Sequence, residues 1–135
     1  MPFKLEVISP DRVVFAEDVD FIAVRGVEGE LGILPSHTPL FTKLNVDLLT
    51  VHQGDKREVV AVMGGFLDVQ PEKVTILTDA AERASEIDAI RARQAKERAE
   101  IQAGKVKDVE AEAALHRAVI RLKAVDLIGA ARVMR

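Results

Sequence analysis

Hydrophobic and polar positions alternate through the first part of the chain and repeat with a helical period through the last. Phe3, Leu5 and Val7 alternate with Lys4 and Glu6, the period of two of a half-buried strand. Short runs rich in β-branched and aromatic residues follow at Arg12–Phe15, Val19–Arg25, Glu58–Met63, Phe66–Val69 and Val74–Leu77. Turn-forming groups separate them: Ser9-Pro10-Asp11, Gly26-Val27-Glu28-Gly29, Gln53-Gly54-Asp55, Gly64-Gly65 and Gln70-Pro71-Glu72-Lys73. Turn signals every ~8–12 residues, with no long helical pattern between them, predict an antiparallel sandwich or barrel.

Gly29 to Leu40 predicts a rigid, apolar surface loop, because two prolines fix φ while Gly29 and Gly32 open angles closed to other residues. His37 inside it is a candidate metal ligand or general base. His52 and His116 lie far off in sequence, however, and no serine or carboxylate spacing around His37 resembles a relay. A structural or partner-contact role is the favoured reading. Gly64-Gly65 reads as a bend or bulge, since it has neither GxGxxG nor GxxxxGK[ST] spacing.

From Ser85 the period becomes helical. Ser85 is the expected N-cap, with Asp88 three residues on completing a capping box. Ile87, Ile90, Ala95, Ala99 and Ile101 fall near one stripe, Gly104 is the expected stop and Asp108 the next cap. Val109, Ala113, Leu115, Val119, Leu122, Val125 and Leu127 form the apolar set of a second helix. The short connector predicts an antiparallel hairpin of about 20 and about 25 residues. Alanine gives it little apolar area, so a marginal, detachable element is expected.

Arg91 and Arg98 are seven apart, and Arg117 and Arg121 four apart, so each pair shares a helix face. Folding the hairpin would gather four guanidiniums. Either a polyanion such as a nucleotide triphosphate lies between them, or they lie on a solvated face beside Glu97, Glu100, Glu110 and Glu112. The residues alone favour the solvated face.

Composition sharpens the division. All five Phe and all five Pro lie in the first 71 positions, whereas 12 of the 51 residues from Ser85 onward are Ala. Residues 1–84 carry 8 basic and 14 acidic side chains, net −6, and residues 85–135 carry 11 and 8, net +3. Two units are therefore expected, 1–84 and 85–135. The total of −3 excludes bulk-charge binding of nucleic acid. The absence of cysteine excludes disulfides, thiol catalysis and cysteine-ligated zinc, and suits a reducing compartment. No stretch nears the ~18 apolar residues of a membrane span, so membrane association is expected only through a partner. The first residues show no targeting segment.

Glu28-Gly29-Glu30-Leu31-Gly32-Ile33-Leu34-Pro35-Ser36-His37-Thr38-Pro39-Leu40, then Gly64-Gly65-Phe66-Leu67-Asp68-Val69, resembles the β-domain of the epsilon subunit of bacterial F-type ATP synthase. Leu5-Glu6-Val7-Ile8-Ser9-Pro10-Asp11-Arg12 is similar as well, and the resemblance runs the whole chain in order. It implies an α+β fold, a β-sandwich followed by a two-helix hairpin, and a central-stalk role with no catalytic residues. The implied partners are the gamma subunit, the membrane-embedded c-ring and the alpha–beta hexamer, at the cytoplasmic face of the bacterial plasma membrane. Leu31, Ile33, Pro35, His37 and Pro39 are the contact candidates.

Several bacterial members of that family bind ATP through a segment I/L-D-x-x-R-A, which here reads Ile87-Asp88-Ala89-Ile90-Arg91-Ala92. The supporting positions fall on Glu82, Arg98, Arg117 and Arg121. On this resemblance Ile87 and Asp88 position the adenine and the arginines hold the phosphates, with ATP a regulatory ligand needing neither magnesium nor another metal. Bound ATP would favour the folded hairpin, and its loss would let the helices extend and brake hydrolysis. Three alternatives have less support: a free-standing ATP sensor, a small enzyme, which lacks clustered catalytic groups, and the mitochondrial counterpart of the subunit.

Overall fold

The computed structural model describes residues 2–105 and 109–133, with side chains over 2–101 and 109–127. Eight strands come first among the described residues: β1 (Phe3–Ile8), β2 (Val13–Val19), β3 (Phe21–Gly26), β4 (Gly29–Ile33), β5 (Leu40–Gln53), β6 (Lys56–Val69), β7 (Lys73–Leu77) and β8 (Ala81–Arg83). A 3-10 turn, Ala84–Glu86, leads to α1 (Ala89–Lys105) and α2 (Val109–Val133). The strands run in the order β2-β1-β7-β6-β5-β3-β4, with β8 added on β6. Pairing is antiparallel except for β1 with β7, which are parallel because β7 returns from β6 in the direction of β1.

The β5–β6 hairpin holds the sandwich together. Its strands are 14 residues each and meet at Gly54-Asp55, where Gly54 has φ 58° and its N–H donates to Asp20 Oδ2 at 2.6 Å. The Phe66–Val69 end of β6 pairs with β7, whereas Val60–Val62 pairs with β8. The same strand thus serves both layers, and Gly64 and Gly65 make the bend at φ 78° and 122°. Register is unbroken across it, Leu44 opposite Gly65 and Val46 opposite Met63, so the glycine pair is a bend without a bulge. A Cβ on Gly65 would strike the Leu77 carbonyl oxygen.

One expectation fails in this region, and one strand lies where the sequence predicted no element. The predicted loop Gly29 to Leu40 begins as β4, paired with β3, and only the segment 34–39 is irregular. Gly32 is a strand residue paired with Ala23, and it is glycine where the Phe21 ring stands 3.1 Å from where its Cβ would be. β5 went unpredicted because its inward side chains Leu44 and Leu49 are an odd number apart, alternation slipping as the strand changes layer.

The main core lies between the layers, with Leu5, Val7, Phe15, Ile22, Leu67 and Ile76 among its members. β6 also feeds a second core. Val60 and Val62 point into the sandwich, while Val59, Ala61 and Met63 join Ala84, Ile120 and Ala124 on the other face. α2 is therefore docked on β6 and β5, and α1 packs on α2.

The hairpin departs from the predicted caps and faces. Ser85 lies inside the 3-10 turn, and Asp88 is the cap of α1: its Oδ1 accepts from the N–H groups of Ile90 (3.0 Å) and Arg91 (3.2 Å). Ile87 is extended (φ −78°, ψ 126°), which breaks the chain between turn and helix and rules out the Ser85–Asp88 box. α1 has 17 residues with Gly104 inside it, and the expected cap Asp108 lies outside the described residues. Ile90, Ile101 and Val109 are 69%, 61% and 84% exposed, and Leu127 is also exposed. Besides Ile120 and Ala124 in the second core, the buried helix residues are Ala92 and Ala99 on α1, Ala99 belonging to the expected stripe, and Ala111 and Ala118 on α2, each pair seven apart and outside both cores. Alanine on both sides lets the helices approach closely, which leaves the bulkier apolar residues outside the contact.

Gly65→Ala is expected to cost about 2 kcal/mol or more, from collision and from backbone strain together. Gly54→Ala, with open space around its Cβ, is expected to cost about 1 kcal/mol. Urea unfolding midpoints of the two variants check the ranking. Ile120→Ala removes the largest side chain of the α2 seam and is expected to cost about 2–4 kcal/mol. That loss should appear as faster amide exchange across α2, with β1 and β7 unchanged.

Candidate functional site

A cleft of about 370 Å³ opens between the end of the sandwich and the hairpin. β8 supplies Glu82, the 3-10 turn supplies Glu86, and the extended link supplies Ile87 and Asp88. α1 adds Arg91, Ala92, Ala95 and Arg98 along one face, and α2 reaches in with Arg121. Seven of the eight residues singled out in the sequence thus share one cleft. Arg117 does not line it: it lies one helical turn before Arg121, on the same α2 face but farther along the helix.

Three guanidiniums face three carboxylates here, and they are not equally engaged. Arg121 Nε donates to Glu82 Oε1 at 2.7 Å, tying α2 to β8. Asp88 is committed to its cap, so two of the free N–H groups at the start of α1 are already satisfied. An anion entering the cleft therefore meets arginine side chains before the helix terminus. Arg91 and Arg98 are exposed and have no ion pair among the described residues. Of the acids expected to pair with them, Glu100 pairs with Lys96 instead, at 3.7 Å.

Sequence reasoning missed Glu86 and Ala95 as lining residues. Ala95 follows Arg91 by four, and helical periodicity would have found it. Glu86 is paired with Arg12, whose Nη1 donates to Glu86 Oε2 at 2.9 Å across 74 positions of sequence. No local pattern signals that pair. The Arg12 hydrogen bond holds the Glu86 carboxyl below the usual carboxylate range, against a smaller opposing effect of burial, and Glu86 in turn raises Arg12. Among the described residues, no three His, Cys, Asp or Glu side chains converge as metal ligands. The cleft volume lies at the small end of ligand pockets, roughly 300–1,000 Å³.

The loop candidates separate into inward and outward residues. Ile33 is 0% exposed and belongs to the sandwich core, and Leu31 packs against that core. A contact role for Ile33 is therefore corrected: alternation along β4 turns its side chain inward. Leu34 is the exposed apolar neighbour. Pro35, His37 and Pro39 do reach the surface, and His37 Nδ1–H donates to the Thr38 carbonyl oxygen at 2.6 Å beside Ser36 at φ 61°. A second apolar surface was not anticipated. Phe41 and Phe66 stack with ring centroids 5.5 Å apart, next to exposed Leu77.

Comparison with known proteins agrees with the sandwich and its order of elements. The family described as "ATP synthase, Delta/Epsilon chain, beta-sandwich domain" matches residues 2–84. The ATP synthase epsilon chain of Desulforamulus reducens is 48% identical over 127 residues, covering 91% of this chain and 96% of that one. That of Halalkalibacterium halodurans is 48% identical over 123 residues, covering 87% and 92%. A chain in the Euglena gracilis mitochondrial ATP synthase structure of OSCP, F1 and c-ring superposes with TM-score 0.68 at 28% identity, over 96% of this chain and 81% of that one. A chain of the Tetrahymena thermophila mitochondrial ATP synthase central stalk and c-ring gives TM-score 0.63 at 14% identity, covering 93% and 97%, a likeness of fold alone. No helix among the described residues is long and apolar enough to cross a membrane. A matched sandwich and nearly half the residues shared over nine-tenths of the chain make this protein a member of the ATP synthase epsilon-chain family.

Proposed function

We propose that the chain is a non-catalytic central-stalk subunit whose sandwich, residues 1–84, is a fixed anchor and whose hairpin, residues 85–135, is an ATP-responsive arm. The sandwich offers the 34–39 loop and the Phe41–Phe66–Leu77 surface to the gamma subunit and c-ring, at the cytoplasmic face of a bacterial plasma membrane. The hairpin carries the excess positive charge, which suits insertion beside acidic surfaces of the alpha–beta hexamer. The similar chain of the Euglena gracilis structure belongs to an assembly that includes the c-ring, which supports this placement.

The observation that carries the ligand reading is the pair Arg91 and Arg98, cations with no ion pair among the described residues, on the wall of a cleft that β8 and both helices close. Guanidinium forks suit phosphate oxygens, and with such cations a triphosphate needs no magnesium to be held. Arg121 must exchange Glu82 for phosphate, so binding replaces one α2 tie with another. A ligand touching β8, α1 and α2 together binds only the folded hairpin and shifts the population toward it.

Calorimetric titration of the whole chain with ATP, in EDTA, tests the site. Arg91→Ala/Arg98→Ala is expected to lose at least about tenfold in affinity, and Arg117→Ala much less, because it lies off the cleft. No heat with the wild type, or equal affinity in the double variant, overturns the ATP site. Removal of residues 85–135 is expected to raise ATP hydrolysis by the assembled enzyme. Unchanged turnover would refute the inhibitory role of the hairpin.

A further inference from the structure

The 84–86 turn leads into the cleft rim and is held more by its flanks than by its own bonds: Arg83 before it pairs with Val60 of β6 and with Glu17 and Glu58, and Ile87 after it packs on the second core. Its cap residue Arg83 makes no side-chain cap hydrogen bond, and its closing bond, from Ile87 N–H to the Ala84 carbonyl, is long at 3.3 Å. Ala84 is its one buried residue, a single methyl group in the seam with α2. The next two residues, Ile87 and Asp88, form the rim and cap α1.

Arg12 reaches this turn from the opposite end of the sandwich sequence, and its backbone is held where it starts. The Ser9 N–H donates to the Arg12 carbonyl at 2.9 Å and Ser9 Oγ to the same oxygen at 3.2 Å, locking the Ser9-Pro10-Asp11 turn. From that base the guanidinium meets Glu86 at 2.9 Å and lies within the field of Glu82 on β8. Arg83 also lowers the Glu86 carboxyl, while its guanidinium pairs with Glu17 and Glu58.

We propose that Arg12 is a positioning residue for the cleft: fixed by the first turn of the sandwich, it clamps Glu86 and so sets the 84–86 turn that presents Ile87 and Asp88. The value of the clamp to the ligand rests on the reading given above, but its mechanics do not. Both side chains are partly exposed, at 45% and 40%, so the pair adds little to global stability. It adds to the packing of Ala84 and Ile87 on the second core, and at the cleft rim a small energy changes a local population. Glu86 is then a neutralised wall of the cleft rather than a free negative charge opposing phosphate.

The test uses the full chain as Arg12→Ala, Arg12→Lys and the exchange pair Arg12→Glu/Glu86→Arg. Amide exchange is followed at residues 87–92, with Val59–Met63 of β6 as the control for folding. Arg12→Ala is expected to speed exchange at 87–92 by about two- to fivefold, the size of an exposed pair, with β6 unchanged. Arg12→Lys should fall between, and the exchange pair should restore protection. In the same samples the Glu86 carboxyl, followed by carbon NMR, should titrate higher in Arg12→Ala, short of full return because Arg83 remains. Unchanged exchange in Arg12→Ala, or no recovery in the exchange pair, overturns the clamp. ATP titration of the same variants separates the two readings. A wild type that binds no ATP removes the ligand while the exchange result still decides the clamp, and normal ATP binding with unchanged exchange removes the clamp alone.

Discussion

The outer face of one strand decides how this molecule is arranged. In β6 the five residues Val59 to Met63 are all buried, because alternate side chains serve two different cores. Val60 and Val62 close the sandwich; Val59, Ala61 and Met63 receive Ile120 and Ala124 of α2. Remove that second burial and the sandwich persists with an apolar stripe exposed, but the cleft has no third wall. The polar contacts of α2 with the sandwich flank this seam: the Arg121–Glu82 bond and the hydrogen bond of His116 Nε2 with the Val46 carbonyl at 2.8 Å.

The seam is narrow, and its polar ties are distributed around it. His116 fastens α2 to β5, Arg121 fastens it to β8, and Arg12 fastens the intervening turn to the β1–β2 corner. Each is a directional bond between partly exposed groups, small in energy and dependent on geometry. α1 touches the rest chiefly through α2, by alanines spaced seven apart. A hairpin built this way gains specificity of placement from polar contacts more than strength from buried area. Such a design is compatible with an element that docks and releases, and it puts the control at the few residues that bridge the two parts.

How much of this was legible in the chain varies with the range of the interaction. Alternation in β1 and the turn at Ser9-Pro10-Asp11 are local, and both were readable from residues 3–11. The helical half was readable as helical, yet its buried face was not. Ile90 and Ile101 look like core by hydrophobicity, and they point to solvent because close approach of two helices favours alanine at the contact. Ser85 and Asp88 both suit a cap, and the choice fell to Asp88 because Ile87 is extended. Ile33 sits in an apolar surface-like segment but faces inward once β4 pairs with β3. Seven site residues were legible only through the resemblance of a six-residue segment and its partners, since unaided spacing favoured a solvated arginine face.

The sequence by itself determined the element types, the change of character near residue 84 and the kind of chemistry available: arginines, no thiols, few aromatics. Those properties depend on composition and on periods of two and about 3.6, which neighbouring residues establish among themselves. Tertiary structure alone decided that β1 and β7 run parallel, that β6 is buried on both faces and that Arg121 rather than Arg117 enters the cleft. It also brought Arg12 to Glu86 over 74 positions. The physical reason is common to all four: each is a contact between segments distant in sequence, set by how sheet bend, helix docking and side-chain reach combine in space, and no local period encodes that combination.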